Sequence, residues 1–456
     1  MMTGLTQSAA RFVAGLRYED LPPGAEEVAV KGITDCVGVM VLGIDEPVTA
    51  IVAEGAPKVA DDARALWGKL RTTADHAALV NATAAHALDY DDTSGDSHPS
   101  AVLFPAILAL GEAFASGRDV LSAYLAGYEI WTELASRDSD KHHGKGFHPS
   151  GIFGSIGAAA ACANLLGLDE GRAAAALSIA ASMSAGLVAN FGTMTKPYQL
   201  GRAAQSGVLA AQMAARGMTA GNATLEHRLG FLAAFSPGAH VDLVGEPAFG
   251  RAWRSLTESV NIKLFPVCYA AHRLINSALV LHGARAGRTD DIRAIRVMLG
   301  KTQSQILHHR RPCNALEAKF SAEFAVAAAL LSGSVGLAEL DDAYVGRRGV
   351  RDLMARVERI EIDEVDPQQS LFSPADHVEI ELSDGGVLCG PHVRFALGHA
   401  RNPVDQSKLR SKFDECTRAR LDRARRSHLF SMLENLKGLN RVADLYEGPR
   451  PVSRKL

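Results

Sequence analysis

The chain has 456 residues, 47% of them hydrophobic, which allows about two or three domains with large buried cores. Its formal net charge at pH 7 is −3, with Lys and Arg mixed evenly among Asp and Glu, so it offers no basic face of the kind that binds DNA or RNA. Six cysteines are scattered without a close pair, which indicates reduced thiols in a cytoplasmic protein and argues against disulfides or a structural zinc site.

The first half of the chain predicts one helix after another, because its apolar residues recur about every 3.6 positions. The N-terminal segment is amphipathic and lacks the long apolar core of a secretory signal. Two uncharged runs are about as long as a membrane span, but their many Ala, Gly and Ser residues and their lack of aromatic belts favour closely packed soluble helices, so we expect no membrane contact. The predicted helices cover 9–16, 25–42, 76–90, 101–116, 121–137, 149–168, 173–195 and 203–215, the two uncharged runs being 149–168 and 173–195.

The pattern changes after residue 261. Period-two alternation predicts strands at 292–299, 356–365 and 377–382, with a hairpin turn at 383–386. A helix at 315–331 is expected to pack on one face of this small, mostly antiparallel sheet, and a charged helix at 404–436 to rejoin the first half. The predicted fold is therefore mainly α, with a large discontinuous all-helical domain (1–262 and 398–456) and a smaller α+β domain (263–397).

One stretch, HALDYDDTSGDSHPS, concentrates ionisable side chains between apolar helices. If the helix continues to Tyr90, Asp89 and Asp92 share its last exposed face, and the following loop brings back His98. A carboxylate beside an imidazole can orient it and raise its pKa, which prepares a general acid or base near neutral pH. The alternative interpretation is a solvated acidic loop.

Two polar residues interrupt the uncharged helices further along. His148 precedes Pro149 at a predicted helix start, where the positive end of the backbone dipole biases an imidazole toward its neutral form. Lys196 lies in an otherwise uncharged stretch, and burying its ammonium requires an anionic partner. A helix-entry histidine without a task and a lysine snorkelling at the surface are the competing interpretations.

Lys263 lies at the predicted junction between the helical and mixed parts, and domain junctions are favoured ligand clefts. Cys268 could be a thiolate nucleophile, but the sequence shows no local acid–base partner, which favours a buried structural thiol. The segment 308–311, HHRR, reads as a solvated or anion-steering loop. Nucleotide-binding, hydrolase and metalloprotease motifs are missing, and the spacing of Asp89, His98 and His148 fits no recognised metal pattern, so we expect neither cofactor nor metal.

Five segments resemble, in chain order, successive motifs of the MmgE/PrpD family. The resemblance covers essentially the whole chain and implies a discontinuous helical domain, a smaller α+β lid domain and a homodimer formed through the helical part. It also implies cofactor-free chemistry on small polycarboxylates, in which a proton moves at the carbon next to a carboxylate. The segments are HALDYDDTSGDSHPSAVLFPAILALGE, FHPSGIFGSIGAAAACANLLGL, FGTMTKPYQLGRAAQSG, IKLFPVCYAAHRLI and LEAKFSAEFAVAAALLSG.

The family pattern marks residues in four of these motifs, and each matches in type. They are Asp89, Thr93, His98, His148, Lys196 and Lys263.

The chain also departs from the patterns of individual family members. Compared with the decarboxylases, the loop 93–98 is one residue shorter and lacks an additional histidine. Cys268 stands where the decarboxylases have a histidine, and Phe324 where they have a tyrosine; these departures argue against decarboxylation of cis-aconitate. The methylcitrate dehydratases have a longer loop, and His143 occupies the position of a tyrosine in the iminodisuccinate epimerase.

We therefore expect Lys196, Lys263, Thr93 and backbone amides to bind substrate carboxylates and stabilise enediolate-like charge. His148 or His98 is expected to remove a proton while Asp89 orients the imidazole, with His143 and Cys268 lining the substrate site.

The leading hypothesis is a dehydratase-type lyase (hydro-lyase) acting on a small di- or tricarboxylate. The alternatives are an epimerase of a substituted dicarboxylate and, in another class, a non-catalytic carboxylate-binding paralogue.

Overall fold

Two hydrophobic cores organise the structure, a computed structural model that describes residues 4–59, 63–369 and 371–448. The first core takes residues from Leu5 to Ile262 and again near the C-terminus, whereas the second lies between them in the chain. The mainly helical fold with a smaller sheet-containing part is thereby confirmed.

The chain passes between the two cores twice, and the two passages run side by side. The Ile262 N–H donates to the Gly398 carbonyl at 2.9 Å. Gly398 has φ of 97°, and a Cβ there would lie 2.0 Å from the Ile262 carbonyl oxygen, so only glycine fits this crossing. These residues adjoin the expected domain boundaries, which stay a prediction; 1–3 and 449–456 of the expected helical domain lie outside the described residues.

The helical part consists of helices before the crossing, a short hairpin, and two helices that return after the sheet. The return is visible at α2, which packs against α19. The helices are α1 Leu5–Gly15, α2 Ala25–Leu42, α3 Pro47–Glu54, α4 Ala74–His86, α5 Ser100–Gly111, α6 Gly117–Ser136, α7 His142–Lys145, α8 Pro149–Leu165, α9 Glu170–Ala181, α10 Thr195–Ala215, α11 Phe231–Phe235, α12 Arg254–Thr257, α19 Gln406–Thr417 and α20 Arg423–Glu434, and the hairpin strands are β1 Ala63–Ala65 and β2 Leu70–Thr72.

Small residues let α6, α8 and α10 approach closely at the centre of the first core. A Cβ on Gly207 would lie 2.6 Å from the Ala158 carbonyl carbon, and one on Gly127 would lie 2.7 Å from the Gly157 carbonyl oxygen. Close packing thus accounts for the Ala/Gly-rich composition of this region. Among the described residues, no helix taken singly has the length and apolarity to cross a bilayer; the sharply bent pair Ala25–Asp45 and Pro47–Glu54 passes only when taken together.

The second part contains a four-stranded sheet in the order β4-β3-β5-β6. β3 pairs parallel with β4 and antiparallel with β5, and β5 pairs antiparallel with β6, so the expectation of a mostly antiparallel sheet is confirmed. The elements are β3 Ile292–Gly300, β4 Val357–Ile362, β5 His377–Leu382 and β6 Val387–Cys389, with α13 His272–Ala284, α14 Lys301–Ile306, α15 Ala315–Ala318, α16 Ala322–Ser332, α17 Asp342–Val345 and α18 Arg348–Met354.

Several helices end earlier or are interrupted compared with the sequence-based prediction. The predicted helix 173–195 ends at Ala181, and the chain then turns through Gly186 and Gly192, both with positive φ, before α10 begins. The predicted helix 315–331 is broken after Ala318, because the Ser321 hydroxyl caps a new helix by accepting from the Phe324 N–H at 3.1 Å. The predicted helix 404–436 is likewise two helices, the second capped by Asp422. These breaks decide which polar side chains leave the helix surface.

Candidate active site

The candidate site forms where α4 ends and the chain turns back toward α5. α4 ends at His86 and not at Tyr90, because Asp89 has a left-handed backbone conformation with φ of 52°. Asp89 and Asp92 therefore do not share a helix face, which corrects the sequence-based expectation. Asp89 faces the cluster described below, whereas burial and the neighbouring Asp35 carboxyl raise the pKa of Asp92 well above its usual range.

Two ammonium groups converge on the Asp89 carboxylate. Lys196, in the first turn of α10, donates from Nζ to Oδ1 at 3.1 Å, and Lys263 donates to the same oxygen at 2.6 Å and to the Asp89 carbonyl at 2.7 Å. Burial by itself raises the pKa of Asp89, but the two lysine charges hold it well below its usual range. The expectation that a buried Lys196 needs an anionic partner is met by this carboxylate.

A second carboxylate, Asp91, holds two imidazoles. Its Oδ1 lies 2.7 Å from His86 Nδ1, and its Oδ2 lies 3.0 Å from His98 Nδ1, which also contacts the Asp92 carbonyl at 3.1 Å. Asp89, which was expected to orient an imidazole, lies 3.7 Å from His98 Nε2. Asp91 is therefore the carboxylate nearest to Nδ1 of both rings; it accepts the hydrogen bond of His86, whereas His98 donates to the Asp92 carbonyl.

These contacts determine which ring nitrogens carry hydrogen. Because Nδ1 donates in both rings, Nε2 is unprotonated; in His86 it accepts from Lys196 Nζ at 2.8 Å. Burial lowers the pKa of His86 to about 3 and also lowers that of His98, although Asp91 opposes both shifts. Both imidazoles are consequently neutral at pH 7.

His148 immediately precedes α8, as the sequence predicted, and its side chain makes no capping hydrogen bond. Its Nδ1 lies 2.6 Å from Gln199 Oε1, and the Gln199 amide nitrogen donates to the Leu187 carbonyl at 3.1 Å, so the glutamine oxygen accepts and the histidine donates. Burial, followed by the charge of Lys196, holds the pKa of His148 well below its usual range. His148 therefore also presents an unprotonated Nε2, with its ring centre 6.5 Å from that of His86.

A third buried lysine and two aromatic rings complete the cluster. Lys319 Nζ donates to the Ala87 carbonyl at 3.2 Å, and burial lowers its pKa to about 8. The Lys196 ammonium lies 5.1 Å from the ring centre of Phe191 and 5.2 Å from that of Phe320, within cation–π range.

Sequence reasoning missed several of these side chains. His86 and Asp91 could have been recognised from the sequence, because they belong to the ionisable stretch 86–100, and Lys319 because it is a charged residue in the motif LEAKFSAEFAVAAALLSG. For Phe191, Phe320 and Gln199 the sequence holds no comparable signal, since aromatic and amide side chains are common at such positions.

Three further residues expected at the site lie at the edge of the cluster. Thr93 exchanges backbone hydrogen bonds with Asn261 at 2.9 and 2.7 Å. His143 Nδ1 lies 3.3 Å from Asp96 Oδ2. Burial, followed by the charge of Asp89, raises the pKa of the Cys268 thiol, so it is not a thiolate at neutral pH.

The donor atoms of four residues lie close enough to hold a metal ion, but their surroundings do not fit one. His86, Asp89, Asp91 and His98 each offer an atom within 4.8 Å of the others. However, Asp89 already binds two ammonium groups, and His86 Nε2 accepts from one of them. A divalent cation at this position would be repelled by these charges at close range.

The cluster is enclosed, and an open cleft adjoins it. Lys196, Lys263 and His148 are at most 4% exposed. A cleft of about 540 Å³, lined by the loop 94–97 and by side chains such as Tyr269 of the second part, reaches the outer edge of this loop. The chemistry-bearing groups from distant parts of the chain thus share one buried site next to the junction of the two cores.

Comparisons with known proteins match along nearly the whole chain. The family model of the MmgE/PrpD N-terminal domain matches residues 7–244, and that of the C-terminal domain matches residues 265–437. The cis-aconitate decarboxylase of Mus musculus is 30% identical over 455 residues, covering 96% of this chain and 92% of the mouse protein. The enzyme of Homo sapiens is 28% identical over 472 residues, covering 99% of this chain and 96% of the human protein. The enzyme of Aspergillus terreus is 25% identical over 476 residues, covering 98% of this chain and 96% of the fungal protein.

Proposed function

This chain belongs to the MmgE/PrpD family, and from that premise we propose that it is a lyase acting on a small di- or tricarboxylate with its own side chains. The proposed reaction is removal of carbon dioxide from an unsaturated polycarboxylate of the cis-aconitate type. The names of relatives similar over nearly their whole length support decarboxylation. Cys268 and Phe324, which depart from the decarboxylase pattern, weigh against it.

The observation that carries the proposal is the excess of positive charge around a carboxylate. Three ammonium groups, Lys196, Lys263 and Lys319, lie at the site with two ionised carboxylates, Asp89 and Asp91. The neighbouring imidazoles are neutral, so the cluster carries one net positive charge. The ammonium groups of Lys196 and Lys263 already contact a carboxylate oxygen of Asp89. A polycarboxylate substrate would present carboxylate groups of the same kind.

In the proposed reaction the bond between carbon and one carboxylate breaks, and carbon dioxide leaves. The electron pair passes through the adjacent double bond into a second carboxylate, forming an enediolate, and a proton is then added to carbon. Lys196 and Lys263 stabilise the extra negative charge, which is strengthened by the low dielectric of a buried site. Phe191 and Phe320 exclude water from the Lys196 ammonium.

The proton comes from His98 or His148. Both imidazoles are neutral in the free site, but a bound polyanion favours the protonated form. Asp91 stabilises a proton on His98, whereas Gln199 fixes the orientation of His148. Each histidine can therefore take a proton at Nε2 and deliver it to a carbon held next to it.

A second candidate reaction is dehydration, which is favoured by the presence of two imidazoles. His98 Nε2 and His148 Nε2 accept no hydrogen bond from the described residues. Loss of water requires a base for the proton on carbon and an acid for the departing hydroxyl. One neutral and one protonated histidine would supply both.

The two candidates can be separated by NMR in D₂O. The purified protein is incubated separately with cis-aconitate, citrate, 2-methylcitrate and iminodisuccinate. We expect carbon dioxide release from cis-aconitate, with one deuterium on carbon in the product. Loss of water from citrate or 2-methylcitrate would instead support dehydration. Solvent exchange with inversion would indicate an epimerase, and line broadening without turnover a binding protein; either result would contradict the lyase proposal.

Two variants test the assigned roles. Lys196→Ala should raise KM and lower kcat/KM by about 100-fold or more, because a charge that binds the transition state is lost. His148→Gln should remain folded and lose about 100-fold or more in kcat. Lys145→Ala and His227→Gln change exposed residues of the same types and are the matched controls. Full activity of Lys196→Ala would contradict its role in binding the substrate.

A further inference from the structure

Three potential metal ligands meet at the edge of the four-stranded sheet, apart from the site described above. They are His377 at the start of β5, Cys389 at the end of β6, and His392 just beyond it. One donor atom from each lies within 4.8 Å of the other two. Cys389 and His392 are exposed and His377 is half-buried, so an ion from solvent can reach them.

A β-bulge brings the three side chains together. Asp376, just before β5, pairs with Val393 beyond β6, and Glu379 on β5 pairs with Cys389 on β6. Three residue steps on one side therefore oppose four on the other. The extra residue locally turns the strand that carries His392. His377 and Glu379 alternate along β5 with residues that face the core, so His377 lies on the same outer face as Cys389.

The donor atoms are suited to binding a cation. His377 Nδ1 is buried and has no hydrogen-bond partner within the described part of the chain, and such an atom is costly to leave unpaired. The rings of His377 and His392 are stacked with centres 3.7 Å apart. A water molecule can occupy a fourth position, and the Glu379 carboxylate lies 3.8 Å from His377 Nε2.

We propose that His377, Cys389 and His392 form a Zn²⁺ site in the α+β part of this protein. Two imidazoles and one thiolate are a ligand set that zinc prefers, with bonds of about 2.0–2.3 Å. Binding releases the thiol proton of Cys389 to solvent. The bound ion would join the short edge strand β6 and the bulge to β5, and so stabilise the sheet edge.

The site is tested on the full chain after chelation and buffer exchange, kept reduced with a phosphine. Calorimetric titration with Zn²⁺ should give one equivalent bound, and titration with Co²⁺ should give a thiolate-to-cobalt charge-transfer band in the absorption spectrum. Cys389→Ser should remove that band and weaken Zn²⁺ binding by at least about tenfold, and His392→Gln should weaken it similarly. Cys313→Ser, which changes an exposed cysteine elsewhere, should leave both unchanged.

The alternative His86, Asp89, Asp91 and His98 cluster is distinguished in the same experiment. If the ion bound there, His98→Gln would weaken Zn²⁺ binding and Cys389→Ser would not. That result, or the lack of stoichiometric binding by the unsubstituted chain, would overturn the proposal. A lack of Zn²⁺ binding would leave the proposed lyase reaction untouched, because His377, Cys389 and His392 lie outside the site assigned to it. Binding at the other cluster would also contradict the charge argument made for the lyase site, so the two failures are distinguishable.

Discussion

At Asp89 one backbone angle decides which side chains meet. A left-handed conformation costs a residue other than glycine about 1–2 kcal/mol, and Lys263 offsets this by donating both to the Asp89 carbonyl and to its carboxylate. In a continuing helix the carboxylate would point away from the end of α4. The turn at this residue instead places it between Lys196 and Lys263.

Lys319 should make substrate binding depend on pH. Burial lowers its pKa to about 8, so its positive charge is lost as the pH rises through that value. If it binds a substrate carboxylate, KM should rise above pH 8 in the native protein. Lys319→Met should raise KM below pH 8 to about the level that the native protein reaches at pH 9, and so abolish this rise, which steady-state kinetics between pH 6.5 and 9 would measure. An unchanged alkaline profile in Lys319→Met, with Lys145→Met as the control, would assign the rise to another group.

Gln199 should set the protonation of His148. Since burial and Lys196 lower the pKa of His148, its ring should remain neutral with hydrogen on Nδ1 well below pH 6.5. Gln199→Glu introduces a negative charge at the ring and should raise the pKa. Histidine-selective ¹⁵N NMR during a pH titration measures both effects independently of any reaction. A His148 signal that titrates near pH 6.5 in the native protein would contradict this interpretation.

Helix α19 supports the loop after α4, which contains Asp89 and Asp91 of the site. Lys412 on this helix donates to the Tyr90 carbonyl at 2.7 Å and lies 2.6 Å from Asp35 Oδ1 on α2. All of these groups are buried. The C-terminal segment thus fixes the chain one residue beyond Asp89, although none of the side chains described between 404 and 448 contacts the lysines of the site.

Lys412→Met should destabilise the protein and disturb the loop. Removing one partner of a buried pair costs about 3–5 kcal/mol, so the unfolding temperature should fall. Adding Asp35→Asn removes the unpaired charge and should recover much of the stability, while kcat stays low because Tyr90 remains unsupported. Lys408→Met, at an exposed position of α19, is the control. If the double variant regained full kcat, the contact with Tyr90 would have no positioning role.

Apolar periodicity predicted where helices occur, but not where they end. The apolar spacing predicted that helices occur near α2, α4, α6 and α8, because burial of one helix face is a local property of the sequence. It did not predict the end of α4 or the break before α16, since a left-handed residue and a capping serine compete with helix continuation over only one or two positions. The end of α4 and the break before α16 are the places at which the side chains of Asp89 and Lys319 enter the site.

For the whole molecule, the homodimer implied by the family resemblance stays a prediction, and the helical part offers a surface for it. Exposed Ile51, Met194 and Tyr198 surround an apolar groove of about 390 Å³. A second copy of the chain would bury this patch. Light scattering should give twice the monomer mass, and Ile51→Glu should reduce the measured mass. Val244, which is 85% exposed and lies outside this groove, provides the control: Val244→Glu should leave the mass unchanged. A monomer at micromolar concentration would contradict the prediction.

By itself, the sequence determined the mainly helical fold, the small sheet, the return of the C-terminus to the first core, and the family. It also identified Asp89, His98, His148, Lys196 and Lys263 as candidate residues, because charged groups within apolar helical sequence need partners. Only the tertiary structure decided the pairing. Asp89 meets lysines 107 and 174 positions away, because contacts over such separations depend on how whole helices pack and not on local spacing. The turn after α4 decided that Asp91 rather than Asp89 accepts from His86.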